Sequence, residues 1–522
     1  MIADRGLGSG RPTISDELPV SMAERWPRRC AGIKRFIRIG SAADAVCRPS
    51  LLRFDGAACL AAILLLSLCC MPASVIAGNR AMLELLKVLR DDGTITQKAY
   101  EALYRTALEE DKGDADEMAP PGGHKDAQKS PLPAPDKVKK PCCANQPVVG
   151  IDQKGVRFKS TDGDFRFRLG GQLLLDAAWY DEDRSELDND TLLRSSRLTW
   201  GGTLWKDWQF KTEVEFAQGD AEFKSNYLRY LGFKPLLITL GNFKEPFGLE
   251  RWTPITETTF MERAAVSSVL APARSQGLGV RSNGQRWSLG AGLFGEREQS
   301  GGGDSQIQEE SWAVTGRATY LPLLSSSYLI HTGIAGSYRA FDEGQIRFKA
   351  RPESNVASSF LIDTGFITDV ESLKRVGIEA GAVIGSLFLQ TEYITTKTER
   401  SGALPELGFD GWYAYAGYLL TGESRPYLPQ RGVFRSIVPK HPLSRGGSGA
   451  WELALRYSQL DLTDEEITGG EQELMTFGLN WYPNANTRFM ANYIRVLDVD
   501  RPGSLYDGDE PQLLQIRGQV DF

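Results

Sequence analysis

The chain has 522 residues, a formal net charge of −7, 41% hydrophobic residues, 54 glycines and 17 tyrosines. That is long for one domain and modest in hydrophobicity, and beyond the first eighty residues no apolar run is long enough for a spanning helix, which excludes a helical membrane protein. The net negative charge offers nothing to a nucleic-acid partner, and none is expected.

In chain order, the first feature is the apolar stretch Ala57–Met71, too short for a comfortable membrane span. Val75-Ile76-Ala77 follows as a small-residue site, so residues 1–77 read as an extension plus an export signal cleaved after Ala77. The residues before Leu51 resemble neither signal nor domain. The true start is expected near Leu51 or Leu52, and a native product containing Met1 to Ser50 would refute that. Cys30, Cys47, Cys59, Cys69 and Cys70 would leave with the presequence. Cys142 and Cys143 remain, adjacent to each other and strained for mutual bridging. No spacing supports a metal site, and no cofactor is expected.

Residues 78–111 read as a periplasmic helical pair. Met82, Leu85, Leu86 and Leu89 share one face; Ala99, Leu103, Tyr104 and Leu108 share the next, with Thr96 placed to cap the second helix. Residues 112–149, rich in proline, lysine and aspartate, read as a disordered linker.

Residues 150–522 alternate with a period of two. Sixteen segments carry the pattern: Phe165–Tyr180, Arg194–Leu204, Gln209–Phe216, Glu222–Leu231, Leu236–Phe243, Gly277–Ser282, Arg286–Phe294, Ser311–Tyr320, Ser327–Tyr338, Arg375–Ile384, Leu387–Thr395, Gly411–Leu419, Ala450–Gln459, Glu473–Tyr482, Thr487–Val496 and Gln512–Phe522. The last shows it most clearly. Leu514, Ile516, Gly518, Val520 and Phe522 fall on one face, and Leu513, Gln515, Arg517, Gln519 and Asp521 on the other. Apolar-out and polar-in alternation suits a strand between lipid and water. A barrel satisfies its backbone between strands and needs only half of each strand apolar, which reconciles a low hydropathy with a membrane. The fold class is all-β: a 16-stranded antiparallel transmembrane β-barrel, preceded by the helical segment and linker. The even count puts both ends in the periplasm.

Several motifs carry a family resemblance. They are Phe165-Arg166-Phe167-Arg168-Leu169-Gly170-Gly171, Gly201-Gly202-Thr203-Leu204-Trp205-Lys206-Asp207-Trp208, Gly241-Asn242-Phe243-Lys244-Glu245-Pro246-Phe247-Gly248-Leu249-Glu250 and Phe260-Met261-Glu262-Arg263. Leu420-Thr421-Gly422-Glu423, Gly449-Ala450-Trp451-Glu452-Leu453 and Gly478-Leu479-Asn480-Trp481-Tyr482 continue the series in order. Together they resemble the phosphate-selective porin O and P family. The resemblance implies a trimeric outer-membrane channel for phosphate or other small anions, seated in outer-membrane lipid and free of cofactors.

It also implies where the cations act. Lys244, Arg251 and Arg263 lie in the long loop that, by resemblance, folds into the pore, with Arg194 and Arg197 descending to the same height. Arg251 takes the place of the family's central lysine. Arg347, Lys349 and Arg351, at i, i+2, i+4 after the ninth strand, correspond to an external basic ladder. Arg425, Arg431, Arg435 and Lys440 correspond to a basic cluster of the periplasmic vestibule. Against these readings, Glu262 stands beside Arg263 as an ion-pair partner, and Glu245 follows Lys244 and would neutralise it. Gln172 and Ser195 stand where the family has arginines, and Arg197 and Lys244 replace aromatic residues of the constriction. Four classes stay open: an anion-preferring channel, a general-diffusion porin, a structural barrel tethered by its helices, and an enzyme barrel whose sole candidate pair is His331 with Ser325-Ser326-Ser327.

Overall fold

The computed structural model describes residues 147–152, 155–217, 219, 221–295, 305–308, 311–325 and 328–522. The presequence with its Ala77 cleavage site, the helical pair, nearly all of the linker, and Cys142 and Cys143 lie outside the described residues. Val148 and Val149, at the linker's end, already belong to a strand. β1 (Val148–Asp152) and β2 (Gly155–Lys159) form a hairpin, and β2 pairs with the foot of the first barrel strand.

The wall begins with β3 (Arg166–Asp181), β4 (Asp190–Leu204), β5 (Trp208–Glu215), β6 (Glu222–Tyr230) and β7 (Leu237–Lys244). After a long loop come β8 (Arg274–Asn283), β9 (Trp287–Phe294), the short extension β10 (Ser305–Gln308), β11 (Ser311–Leu324) and β12 (Tyr328–Ala350). A two-residue β13 (Ile362–Asp363) precedes β14 (Ile367–Ile384), β15 (Leu387–Arg400) and β16 (Leu407–Leu419). A small hairpin, β17 (Tyr427–Leu428) and β18 (Val433–Phe434), separates these from β19 (Ala450–Asp464), β20 (Ile467–Tyr482), β21 (Thr487–Asp500) and β22 (Gln512–Asp521). Without β1, β2, β10, β13, β17 and β18, sixteen strands pair antiparallel with their neighbours in sequence, and β22 closes the ring on β3.

Every predicted strand is present. Their outer ends run further than the alternation showed: the ninth continues to Ala350, and the tenth starts at Ile367. Above the apolar band both faces of a hairpin meet water, so hydropathy no longer marks where pairing stops. Within the band the faces separate as expected. Leu514, Ile516 and Val520 of β22 are exposed to the exterior, while Leu513, Gln515, Arg517 and Gln519 are buried inside.

The interior is far from empty. Three segments fold into it: the loop 245–273, the loop 351–361 and, from the periplasmic side, segment 420–449. The first carries α1 (Leu249–Trp252) and α2 (Ala265–Val269). Its Phe247, Leu249, Phe260, Val266 and Leu270 share an apolar core with Phe388, Ile394, Tyr413 and Tyr415 of the wall and with Val433 and Phe434 of the hairpin. Burying these apolar side chains is favourable at roughly 25 cal/mol per Å² of apolar surface. Gly248 enters α1 at φ 66, a backbone conformation that side-chain-bearing residues rarely adopt. The Glu392 carboxylate of β15 accepts the N–H groups of Leu249 and Glu250, supplying partners that a helix start lacks.

The loop's irregular backbone is satisfied from the wall. Arg488 of β21 donates to the carbonyls of Thr258 and Thr259 at 2.6 and 2.7 Å, and Arg456 of β19 to that of Glu262 at 3.0 Å. Arg517 of β22 reaches the carbonyl of Met261, and Gln519 that of Thr256 at 2.9 Å. Asn480 adds a bond to the Thr259 carbonyl at 2.9 Å.

Candidate functional site

With one side of the barrel filled, open space remains against β4 to β8. It forms a cavity open to solvent whose lining includes eleven basic and four acidic side chains. All five predicted constriction residues share it: Arg194, Arg197, Lys244, Arg251 and Arg263. Arg431 joins them from segment 420–449. Lys211, Lys224, Arg229, Arg274 and Arg281, on β5, β6 and β8, line it too and had not been singled out. On a luminal strand face they read as ordinary wet-side charges. Their signal was position, on the strands that face the open space.

The partners decide which charges are spent. Glu262 does not pair with Arg263, contrary to the sequence expectation. It accepts Arg194 Nε at 2.6 Å and Arg517 at 2.7 Å, because the loop turns its carboxylate toward β4 and β22. Arg197 pairs with Glu215 at 3.1 Å, Lys211 with Glu213 at 2.6 Å and Lys224 with Glu222 at 2.5 Å. Lys244 is likewise not paired with Glu245, which lies just past the end of β7. Glu245 pairs with Arg339 at 2.6 Å and accepts from Ser275 and Thr315.

Lys244 instead donates to the carbonyls of Arg251 and Thr253 at 2.6 and 3.2 Å. Arg263 donates to those of Glu250 and Thr253 at 3.0 and 2.8 Å. Arg251 Nε meets the carbonyl of Pro272 at 3.4 Å. Three cations therefore gather around the end of α1, where the helix's carbonyls welcome positive charge. The shared Thr253 oxygen keeps the Lys244 and Arg263 cationic groups within ~6 Å, a repulsion of about 3 kcal/mol at an effective dielectric of 20. An anion settling between them relieves it.

The other two predicted groups divide. Arg347 and Lys349 belong to β12 itself, rather than lying after it, and Arg351 follows. Arg347 is bonded to Asp363 through two nitrogens, one at 2.8 Å, while Lys349 and Arg351 stand over the Phe360 ring at 3.9 and 4.1 Å. None of the three lines the large cavity. Arg351 lines a neighbouring one of ≈ 290 Å³, which shares Arg263 and Asn355 with it. The residues of the predicted periplasmic cluster meet separate partners. Arg425 is buried and donates to the Glu257 carbonyl and Thr259 Oγ1, each at 2.6 Å, so it pins the inserted loop from below. Arg435 pairs with Glu257 at 2.9 Å. Lys440 holds the Gly422 carbonyl. Among the described residues no three His, Cys, Asp or Glu side chains are placed to hold a metal. His331 is buried between Glu379 at 3.0 Å and the Tyr427 hydroxyl at 2.6 Å, while Ser325 Oγ donates to the Tyr328 carbonyl.

Comparison with known proteins follows the same direction. Residues 167–522 match the family described as phosphate-selective porin O and P. The chain belongs to that family. It is 30% identical over 383 residues to an uncharacterized protein of Caulobacter vibrioides, covering 69% of this chain and 75% of the relative. It is 25% identical over 388 residues to Porin O of Pseudomonas aeruginosa, covering 67% and 86%. Among solved structures, the anion-selective porin of Comamonas acidovorans gives a TM-score of 0.42 at 14% identity, over 69% of this chain and all of that one (100%). The outer-membrane channel DcaP of Acinetobacter baumannii gives 0.44 at 12%, over 71% and 100%. Membership of this porin family and the closed barrel make the protein an outer-membrane channel.

The docking of the inserted loop 245–273 has a pH signature. Burial raises the Glu262 carboxyl, but the Arg194 and Arg517 guanidiniums outweigh it and bring it to about 2. An undocked loop would hold an ordinary carboxyl near ~4.3. A depressed value stabilises docking above that ordinary value and loses it as the pH falls toward about 2. Open-channel current noise should therefore stay flat from neutral pH to about 5 and grow below about 4. Glu262→Gln should be noisy already at neutral pH, and equal noise in both proteins at every pH would remove Glu262 as the anchor.

Proposed function

We propose that the channel passes small anions, phosphate and polyphosphate among them, by passive diffusion through the cavity beside β4 to β8. One observation carries this reading: Lys244 and Arg263 at the inserted loop rest on carbonyls rather than carboxylates, so their charge stays available to a solute. Arginine offers a planar fork that matches two phosphate oxygens, and lysine a point charge. The excess of basic over acidic side chains along the lining then sets the sign of the field, whatever the chain's net charge. Conduction also requires release, which a series of moderate sites permits and one tight cage does not. A general-diffusion pore is the competing reading, favoured by the pairs that neutralise Arg194, Arg197, Lys211 and Lys224. Export through the presequence, with cleavage after Ala77, completes this reading.

The assembly proposed is a homotrimer. β5, β7 and β9 have only 8 residues each, whereas β12 has 23. At ~3.3 Å per residue and a tilt of ~45°, such short strands rise only ~19 Å, less than the ~25 Å apolar band of a barrel. Neighbouring copies would cover that low wall.

Reversal potentials in a salt gradient decide the sign of selectivity. Arg251→Ala should lower anion preference and weaken phosphate block of chloride current by about tenfold, the scale of one charge-assisted contact; an unchanged blocking constant removes Arg251 from the site. Neutralising Arg347, Lys349 and Arg351 together should slow anion capture at low salt, with the effect vanishing as salt rises. Wild-type behaviour at low salt would end the ladder idea. Cysteine at Leu240 on the low wall should cross-link copies in native membranes, and cysteine at Ile378 on the tall wall should not. The reverse pattern would place the contact elsewhere.

A further inference from the structure

Every wall pairing but one joins consecutive strands, whose connecting turn or loop limits how far they can slide. The exception is the seam, where β22 lies along β3 with no loop between them. Alternation guards the seam against odd slips only. Moving β22 by one residue would turn Leu514, Ile516 and Val520 inward, whereas moving it by two would leave each on its own face. A slip of two would also change the stagger of the barrel, and with it the tilt of its strands.

Two features mark the observed register. Arg517 of β22 stands opposite Asp176 of β3 and donates to both of its carboxylate oxygens at 2.7 Å. A two-residue slip toward the periplasm would put Leu174 opposite Arg517 instead. The second feature is steric. β22 leads to Phe522, which exchanges both backbone hydrogen bonds with Gly171 at 2.8 and 2.9 Å. The stretch of β3 just below, Arg166 to Leu169, is already taken on that edge by β2, with Val156 opposite Leu169 and Lys159 opposite Arg166. Both β2 and β22 run antiparallel to β3, so they lie head to tail along it. Gly155 begins β2 at the junction. A β-carbon there would stand 2.1 Å from the Leu169 carbonyl oxygen and 3.2 Å from Gly170 Cα, so only glycine fits. β22 cannot descend without displacing β2.

β2 is itself well held. β1 pairs along its other edge from Val148 to Asp152, and Arg157 forms an ion pair with Asp152. In the turn into β3, the Ser160 N–H donates to the Phe165 carbonyl and the Phe165 N–H to Ser160 Oγ, each at 3.0 Å. Lys206, in the neighbouring turn between β4 and β5, pairs with Asp164 at 2.8 Å.

We propose that the hairpin β1–β2 is a register stop for barrel closure. By occupying the lower edge of β3 it fixes where the last strand can seat, and excludes the even slips that hydropathy permits. The hairpin lies next to β3 in the chain, so its contacts close short loops and can form before β22 arrives. Arg517 and Asp176 then draw β22 into place, and β2 keeps it from passing.

Disulfide trapping in the full chain reads the register directly. Ile516→Cys with Ala177→Cys bridges in the observed register, and Ile516→Cys with Leu175→Cys only after a two-residue slip. Asp176→Asn, added to both, removes the charge that draws Arg517 and leaves the hairpin to hold the seam. With the hairpin intact, the first bridge should form and the second should not. Replacing residues 148–159 by a glycine–serine chain of equal length should shift the main bridge from the Ala177→Cys pair to the Leu175→Cys pair. Val156→Pro with Phe158→Pro should do the same by removing ladder donors, and serves if the replacement forms no barrel. A slipped bridge with the hairpin intact, or the first bridge alone in the hairpin variants, overturns the proposal. So does failure of both variants to assemble, which would make the hairpin a folding element rather than a stop.

Discussion

A chain that folds back into a barrel carries peptide groups that have left every ladder, and each must find a partner in a narrow space. That requirement organises the interior. The carbonyls from Thr256 to Glu262 point at β19 through β22, and those strands answer with Arg456, Arg488, Arg517, Asn480 and Gln519. Arg425 answers from below, and Glu392 accepts the amides that begin α1. Charge-assisted bonds are about twice as strong as neutral ones, which suits a loop with little regular structure of its own. A hydrogen bond to a charged group contributes about 1.5–3 kcal/mol, and several act on this loop together.

The same requirement allots the positive charge. Arginines on the filled side are consumed by carbonyls and carboxylates of the inserted segments, and Arg517 serves Asp176, Glu262 and Met261 at once. On the open side the inserted backbone turns its carbonyl ends toward Lys244 and Arg263, orienting them without cancelling them. A carbonyl offers a partial charge and a carboxylate a full one.

The barrel was legible because lipid imposes a period of two. Leu514, Ile516 and Val520 could not alternate with Gln515, Arg517 and Gln519 by accident sixteen times over. Where lipid is absent the signal fades, which is why β12 ran on to Ala350 past its predicted end. That Lys244, Arg251 and Arg263 would share one cavity with Arg194 and Arg197 was readable only through the family motifs around Phe243-Lys244-Glu245-Pro246. Their partners were not, since Arg194 meets Glu262 across 68 positions and Arg517 across 255. Arg425 is a similar case, since the loop atoms it bonds, Thr259 Oγ1 and the Glu257 carbonyl, lie more than 160 positions away. Arg229 and Arg281 escaped notice for another reason. Nothing near them in sequence distinguishes an arginine facing a filled interior from one facing open water.

The ring is sealed at its final residue. Phe522 exchanges both backbone hydrogen bonds with Gly171, at 2.8 and 2.9 Å, and β22 lies along β3 from Gln512 to Asp521. This seam joins parts of the chain some 350 positions apart, whereas every other wall pairing joins consecutive strands. Hairpins can therefore zip one after another with short loops to close, but the circumference depends on the most distant meeting of all. The chain cannot become a cylinder before β22 reaches β3. Until then it is an open sheet with two unpaired edges.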